Sequence, residues 1–363
     1  MPINEALLAA MKAASYIKPN ARKTYKIQRA AEALLAKQAP LNPKCRIEDT
    51  AATMPDGHDV PLRTFTPIAP YGTLFPIPDS ASADSGTDAG DFKTVTPRGT
   101  ILFFHGGGWC TGGIDLYTQA CAHMAVRLQR RVIAVEYRLS PEYRFPVAVE
   151  ECYEVARKLY AGELPVSPSD PADPADPADI ALFGDSAGGN LAAVVSLMAR
   201  DRGEFMPRTQ ILLYPVLGND YNPDTSPFAS VRDNGTDYML TAQDMADYID
   251  MYRSSADGLT DPYFAPIVAP DLTGQPRTLV LSAEYCPLRD EDEAFANRLQ
   301  LVNDNVSCYR ISNGIHGYLI NTSAINLVSV TYRLIDHFLD GTPLPANTAP
   351  EGGEPWHDVL GTD

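Results

Sequence analysis

The chain has 363 residues, 45% of them hydrophobic and 21% charged, enough for one large α/β domain or a domain with a cap. Lys and Arg total 29 against 46 Asp and Glu, a formal net charge of −17, which argues against nucleic acid or an anionic membrane surface as partner. No run of about 18 apolar residues is present to cross a bilayer. The six cysteines (Cys45, Cys110, Cys121, Cys152, Cys286 and Cys308) form no CxxC pair and no metal-ligand spacing. With no secretory signal pattern at the N-terminus, they suit reduced thiols in a cytoplasmic protein.

In chain order, Ile3 to Ile17 and Tyr25 to Gln38 are Ala- and Leu-rich with apolar positions at helical spacing, separated by Pro19-Asn20. They predict two helices ahead of the first strand, so residues 1–45 are expected to contribute to a cap. Asp59 to Thr66 alternates as an edge strand would. Residues 67–98 are rich in Pro, Ser, Asp, Gly and Thr, and within them Asp79 to Asp91 predicts a mobile surface insertion. Buried-strand runs follow at Thr100 to Phe104, Val132 to Glu136, Ile180 to Phe183, Gln210 to Tyr214 and Thr278 to Ala283. Helical patterns lie between and after them: Tyr117 to Gln129, Pro146 to Ala161, Ala187 to Arg200, Asp290 to Val302 and Ser323 to Leu339. Strands alternating with helices predict a mostly parallel sheet covered on both faces, with its site at the carboxyl ends of the strands. The Asp-Pro-Ala repeat from Asp170 to Asp179 favours an extended spacer on the opposite face. Residues 341–363 are expected to be a polar tail.

Three motifs carry chemistry. Gly184-Asp185-Ser186-Ala187-Gly188-Gly189-Asn190 follows the strand run Ile180 to Phe183 and precedes a proline-free helix. This is the Gly-x-Ser-x-Gly form of a nucleophile elbow, in which a tight turn lifts the Ser186 hydroxyl and aims the first helical N–H groups at its target. His105-Gly106-Gly107-Gly108-Trp109 directly follows another strand. Its glycines allow backbone N–H groups to turn outward, so Gly106, Gly107 and Ala187 are the predicted oxyanion donors. A phosphate-binding loop would need a lysine that is missing here. His105, at the strand end, is expected to anchor the loop. His316, in Ser312-Asn313-Gly314-Ile315-His316-Gly317-Tyr318, lies C-terminal to the serine on a glycine-flanked segment and is the predicted general base.

On these motifs the chain resembles the hormone-sensitive-lipase-like esterases, an α/β-hydrolase group marked by His-Gly-Gly-Gly and Gly-Asp-Ser-Ala-Gly-Gly-Asn. Glu136-Tyr137-Arg138-Leu139-Ser140-Pro141-Glu142, Leu213-Tyr214-Pro215-Val216-Leu217, Asp261-Pro262-Tyr263 and Ala283-Glu284-Tyr285 extend the likeness over roughly residues 55–340. The resemblance implies an α/β-hydrolase fold over 46–340 with helices on both faces of a mostly parallel sheet. It also implies a helical cap from residues 1–45 and about 218–255. One position departs. The family's acid opens an Asp-Pro-Leu-Arg-Asp-Glu run, and here Cys286 opens Cys286-Pro287-Leu288-Arg289-Asp290-Glu291. Asp290, Asp220, a Cys286 thiolate and an unassisted Ser–His pair are the alternatives. Glu284 matches a position that is not the acid and is expected to be structural.

The expected function is that of a serine carboxylesterase acting on small, short-acyl esters, needing no metal or other cofactor. The rival is a weakened ligand-binding or regulatory protein on the same scaffold, prompted by Cys286. Trp109, Tyr16, Tyr238, Tyr248 and Tyr252 are candidates either for the acyl pocket or for packing. A small-molecule ester is the expected partner, with no nucleic acid and no membrane insertion. Homo-oligomerisation is left open.

Overall fold

The computed structural model describes residues 20–36, 42–68, 96–164, 175–321, 324–344 and 358–359. The expected helix Ile3 to Ile17, Tyr16, the insertion at Asp79 to Asp91 and the first part of the Asp-Pro-Ala repeat lie outside them.

Within these residues the chain forms a nine-stranded sheet. Strands β1 (Cys45–Thr53) and β2 (Asp59–Pro67) form an antiparallel hairpin, and β2 runs antiparallel to β4 (Arg131–Val135). All later pairings are parallel, through β3 (Thr100–Phe104), β5 (Ile180–Asp185), β6 (Thr209–Leu213), β7 (Arg277–Tyr285) and β8 (Val306–Ile315). The central strands β3, β4 and β5 are buried at every position. Their near-continuous apolar runs are what a parallel sheet covered on both faces requires.

The helices are α1 (Ala21–Ala36), α2 (Ile114–Leu128), α3 (Val147–Tyr160), α4 (Ala187–Arg202), α5 (Ala229–Asp233), α6 (Ala242–Tyr252), α7 (Arg289–Gln300) and α8 (Ile325–Leu339). Helix α4 is buried at every residue from Ala187 to Ala199, so its Ala, Val, Leu and Gly content reflects contact all round and not one apolar stripe. Helix α1 packs on α2 and α6.

Strand order places the site. From β3 the chain passes to β4 on one side, then returns across β3 to β5 on the other. The carboxyl ends of β3 and β5 therefore flank the point where the winding reverses, where parallel α/β sheets open a crevice. The His105 loop leaves β3 there, and the Ser186 turn leaves β5.

Three expectations need correction. β2 is not the edge: β1 covers it through a full register from Cys45–Pro67 to Thr53–Asp59. The polar sequence of β1 does not alternate cleanly, so pairing and not pattern makes it a strand. The tail contributes a short strand, β9 (Asp358–Val359), parallel to Arg310 and Ile311 of β8. The end of the Asp-Pro-Ala repeat forms one 3₁₀ turn at Pro177–Asp179, capped by the Asp176 side chain on the Ala178 N–H, because an Asx turn competes with the extended form.

Candidate active site

Ser186 sits at φ 56°, ψ −122°, a strained conformation for a residue with a Cβ. The surroundings enforce it. A Cβ on Gly184 would lie 2.0 Å from the Gly188 carbonyl oxygen, and one on Gly188 would lie 1.9 Å from that of Phe104. Both positions admit only glycine, so the strand can turn straight into α4. His316 follows the last residue of β8, and its Nε2 lies 2.8 Å from Ser186 Oγ. On its other side, Nδ1 lies 3.3 Å from Cys286 Sγ. Cys286 in turn accepts from the Leu288 N–H at 3.4 Å. The tertiary fold thus aligns Ser186, His316 and Cys286 across 130 residues of sequence.

The glycine loop after β3 is held from beneath. Asp185 is buried, and its carboxylate accepts from the Gly106 N–H at 2.9 Å and from the Tyr117 hydroxyl at 2.9 Å, with Tyr214 Oη at 3.4 Å. Burial pushes the Asp185 carboxyl up to about 7, opposed by these donors. The N–H of Gly106, one of the expected oxyanion donors, is therefore already engaged. The N–H groups of Gly107, Gly108 and Ala187 have no partner among the described residues. His105 behaves as the expected anchor. It is buried and stacked 4.3 Å from Tyr137, whose hydroxyl donates to the His105 carbonyl at 2.6 Å.

Residues 101–320 match the family described as the alpha/beta hydrolase fold. An arylesterase of Saccharolobus solfataricus is 31% identical over 289 residues, covering 79% of this chain and 81% of that protein. An ethyl acetate hydrolase of Pseudomonas putida is 29% identical, covering 84% and 86%. A solved hyperthermophilic esterase from Pyrobaculum calidifontis superposes with a TM-score of 0.73 at 28% identity, over 94% of this chain and 99% of that one. The chain belongs to the alpha/beta hydrolase fold family, in its hormone-sensitive-lipase-like branch, and is a carboxylic ester hydrolase.

In this hydrolase both sequence candidates for a carboxylate acid point elsewhere. Asp290 Oδ2 accepts from the Ser230 N–H at 2.7 Å, and its Oδ1 pairs with Arg289 at 2.8 Å. Asp290 thus ties α5 to α7, and it does not meet His316. Asp220 closes a local turn through the Asn222 N–H. The surroundings of Cys286 disfavour the thiolate alternative. Burial pushes the Cys286 thiol well above its usual range, and the charges of Asp292 and Glu291 push further, against the Leu288 N–H and Arg289. Glu284 is structural as expected, accepting the Asn313 N–H at 2.6 Å just before His316.

A cavity of about 360 Å³ opens over Ser186 and His316, walled by Tyr248, Met245 and Leu240 and by Gln28 and Glu32 of α1. Trp109 does not line it. The indole is fully buried, stacked 4.2 Å from Tyr252, so both rings are packing. Tyr238 stacks on Tyr285 at 5.0 Å. Of the candidate aromatics among the described residues, Tyr248 alone faces the cavity.

Several working residues escaped the sequence reading. Arg29 of α1 donates to the carbonyls of Cys110 at 2.6 Å and Ser140 at 2.7 Å, and Glu32 accepts the Gly112 N–H at 3.0 Å. Helix α1 is thereby tied to the glycine loop. No local pattern signals this. Asp185 was visible as the variable residue of the elbow motif, but its role needed the contact with Gly106. Glu291 accepts from the Leu217 and Gly218 N–H groups and the Tyr221 hydroxyl, and so fixes the segment after β6. Among the described residues no helix is long and apolar enough to cross a membrane, and no group of three His, Cys, Asp or Glu side chains could hold a metal ion.

Proposed function

We propose that this hydrolase is a serine esterase for small, short-acyl carboxylic esters, with Ser186 as nucleophile and His316 as general base. The observation that carries the reading is the 2.8 Å contact between His316 Nε2 and Ser186 Oγ at the tip of a strained elbow. Ser186 attacks the ester carbonyl while Nε2 takes its proton. The free N–H groups of Gly107, Gly108 and Ala187 receive the developing oxyanion, where one donor is worth roughly 3–4 kcal/mol. His316 then protonates the leaving alcohol, and water releases the acyl group by the reverse steps. Helices α1 and α6 act as the cap. The cavity of about 360 Å³, closed by Met245, Leu240 and Tyr248, favours a short acyl chain.

In this scheme Cys286 is a neutral hydrogen-bond partner for His316. For Nε2 to accept the serine proton, Nδ1 must carry the ring hydrogen, and Sγ at 3.3 Å is the acceptor that holds this tautomer. A thiol sulfur accepts weakly and supplies no negative charge, so the imidazolium formed during attack is less stabilised than beside a carboxylate. The arrangement predicts genuine but slow turnover.

Cys286 also favours the second reading, a ligand-binding protein with a disabled site. A fluorophosphonate probe separates the two. Stoichiometric labelling at Ser186, together with loss of p-nitrophenyl acetate hydrolysis in Ser186→Ala, supports the esterase. An unlabelled protein with no hydrolysis, or full activity in Ser186→Ala, overturns it.

A further inference from the structure

At the amino-terminal ends of the central strands, on the opposite edge of the sheet from Ser186, lies a second cavity of about 570 Å³. It runs below β5, β6 and β7, whose first residues are in register through Ala181–Thr209 and Thr209–Arg277. The six residues of β5 at about 3.3 Å each put it some 20 Å from the serine. Three arginines line it, Arg130, Arg208 and Arg277, with Asp179 as the acidic residue. In a chain of net charge −17 this is a local inversion of sign.

The ordinary explanation for arginines here is that helix carboxyl ends point to this edge and attract cations. Arg98 and Arg130 do that work. Arg98 donates to the Leu128 carbonyl at 2.8 Å, and Arg130 donates to the Arg98 carbonyl and pairs with Asp340 at 2.7 Å. Arg208 and Arg277 do not: among the described residues neither guanidinium has a carboxylate or carbonyl partner. Arg277 lies over the Phe338 ring at 4.3 Å, so its plane is held in place without being neutralised. Burial and the Arg130 charge both disfavour its protonated form.

We propose that this cavity is a binding site for a small, multiply charged oxyanion, either a phosphate ester or a polycarboxylate, held by Arg208 and Arg277 with Arg130 behind them. Guanidinium forks match both oxyanion chemistries, and an anion there relieves the repulsion between Arg130 and Arg277. The site is separate from the ester-binding crevice and stands whether or not the proposed catalytic roles hold.

The test is calorimetric titration of the full chain in low-salt buffer, with pyrophosphate in one arm and citrate in the other. Saturable one-to-one binding is expected in at least one arm. Arg208→Gln and Arg277→Gln should each weaken it roughly tenfold or more. Hydrolysis of p-nitrophenyl acetate should be unchanged in both variants, which also reports that they fold. Pyrophosphate binding alone assigns a phosphoryl ligand, and citrate binding alone a carboxylate ligand. Absence of saturation by either anion up to roughly 10 mM, or equal affinity in the Arg208→Gln/Arg277→Gln double variant, overturns the proposal.

Discussion

At residue 286 a thiol faces the histidine that the rest of the site is built to orient. Its neighbour Asp292 sharpens the point. Asp292 is fully buried, neither carboxylate oxygen has a hydrogen-bond partner among the described residues, and burial with the flanking acids pushes its carboxyl far up. Burial raises the Cys286 thiol in the same region, with Asp292 adding to it. Restoring the acid by Cys286→Asp should raise kcat on p-nitrophenyl acetate, by roughly 10- to 1,000-fold on the scale set by triad acids in serine proteases. A Cys286→Asp enzyme no faster than the parent would show that His316 is adequately oriented by the thiol alone.

Among the elements, α1 is held less by its own sequence than by what it touches. Its first N–H, from Ala21, donates to Asp247 Oδ2 of α6 at 3.1 Å, and the Asn20 amide donates to Oδ1 at 3.2 Å. Asp247 thus caps a helix from more than 200 residues away. Removing it with Asp247→Ala should cost about 1–2 kcal/mol and loosen α1 from the crevice. Limited proteolysis should then cut earlier in the N-terminal segment, and kcat/KM should fall because Gln28 and Glu32 line the cavity. Unchanged proteolysis and kinetics would show that Arg29 and Glu32 secure the helix without Asp247.

Across the whole molecule, buried acids set the pH response. Asp185 and Glu291 are pushed up to about 7 by burial, and Asp292 is raised as well. In the unfolded chain such groups titrate near 4. Between those values the native state holds more protons than the unfolded state, so stability falls as pH rises through the window. His105 and His123, lowered by burial, act in the opposite sense over the lower part of this window, so the acids are read by difference in denaturant melts. Relative to the parent, Asp292→Asn should lose part of the fall in unfolding free energy between pH 5 and pH 7, and a variant with the parent's pH profile would mean that Asp292 does not hold its proton in the folded state. Added salt should stabilise the chain by screening the repulsion of its net charge of −17.

The tight turn at Ser186 and the glycine loop after β3 were legible in sequence because each depends on backbone demands that only certain residues meet locally. Gly184 and Gly188 are required where a Cβ would strike a carbonyl, and the apolar runs of β3 and β5 announce strands covered on both faces. The position of Cys286 was legible as well, since the run after it is intact. What remained hidden depends on contacts between distant parts of the chain. Asp290 belongs to Ser230, Asp185 engages the Gly106 N–H, and Trp109 stacks inside while Tyr248 faces the cavity. β1 becomes a strand by pairing with β2. The protonation of Cys286 and Asp292 follows from burial, a property of the folded surroundings and not of residue type. Local geometry writes itself into sequence spacing, whereas partner choice and desolvation exist only once the sheet has brought distant segments together.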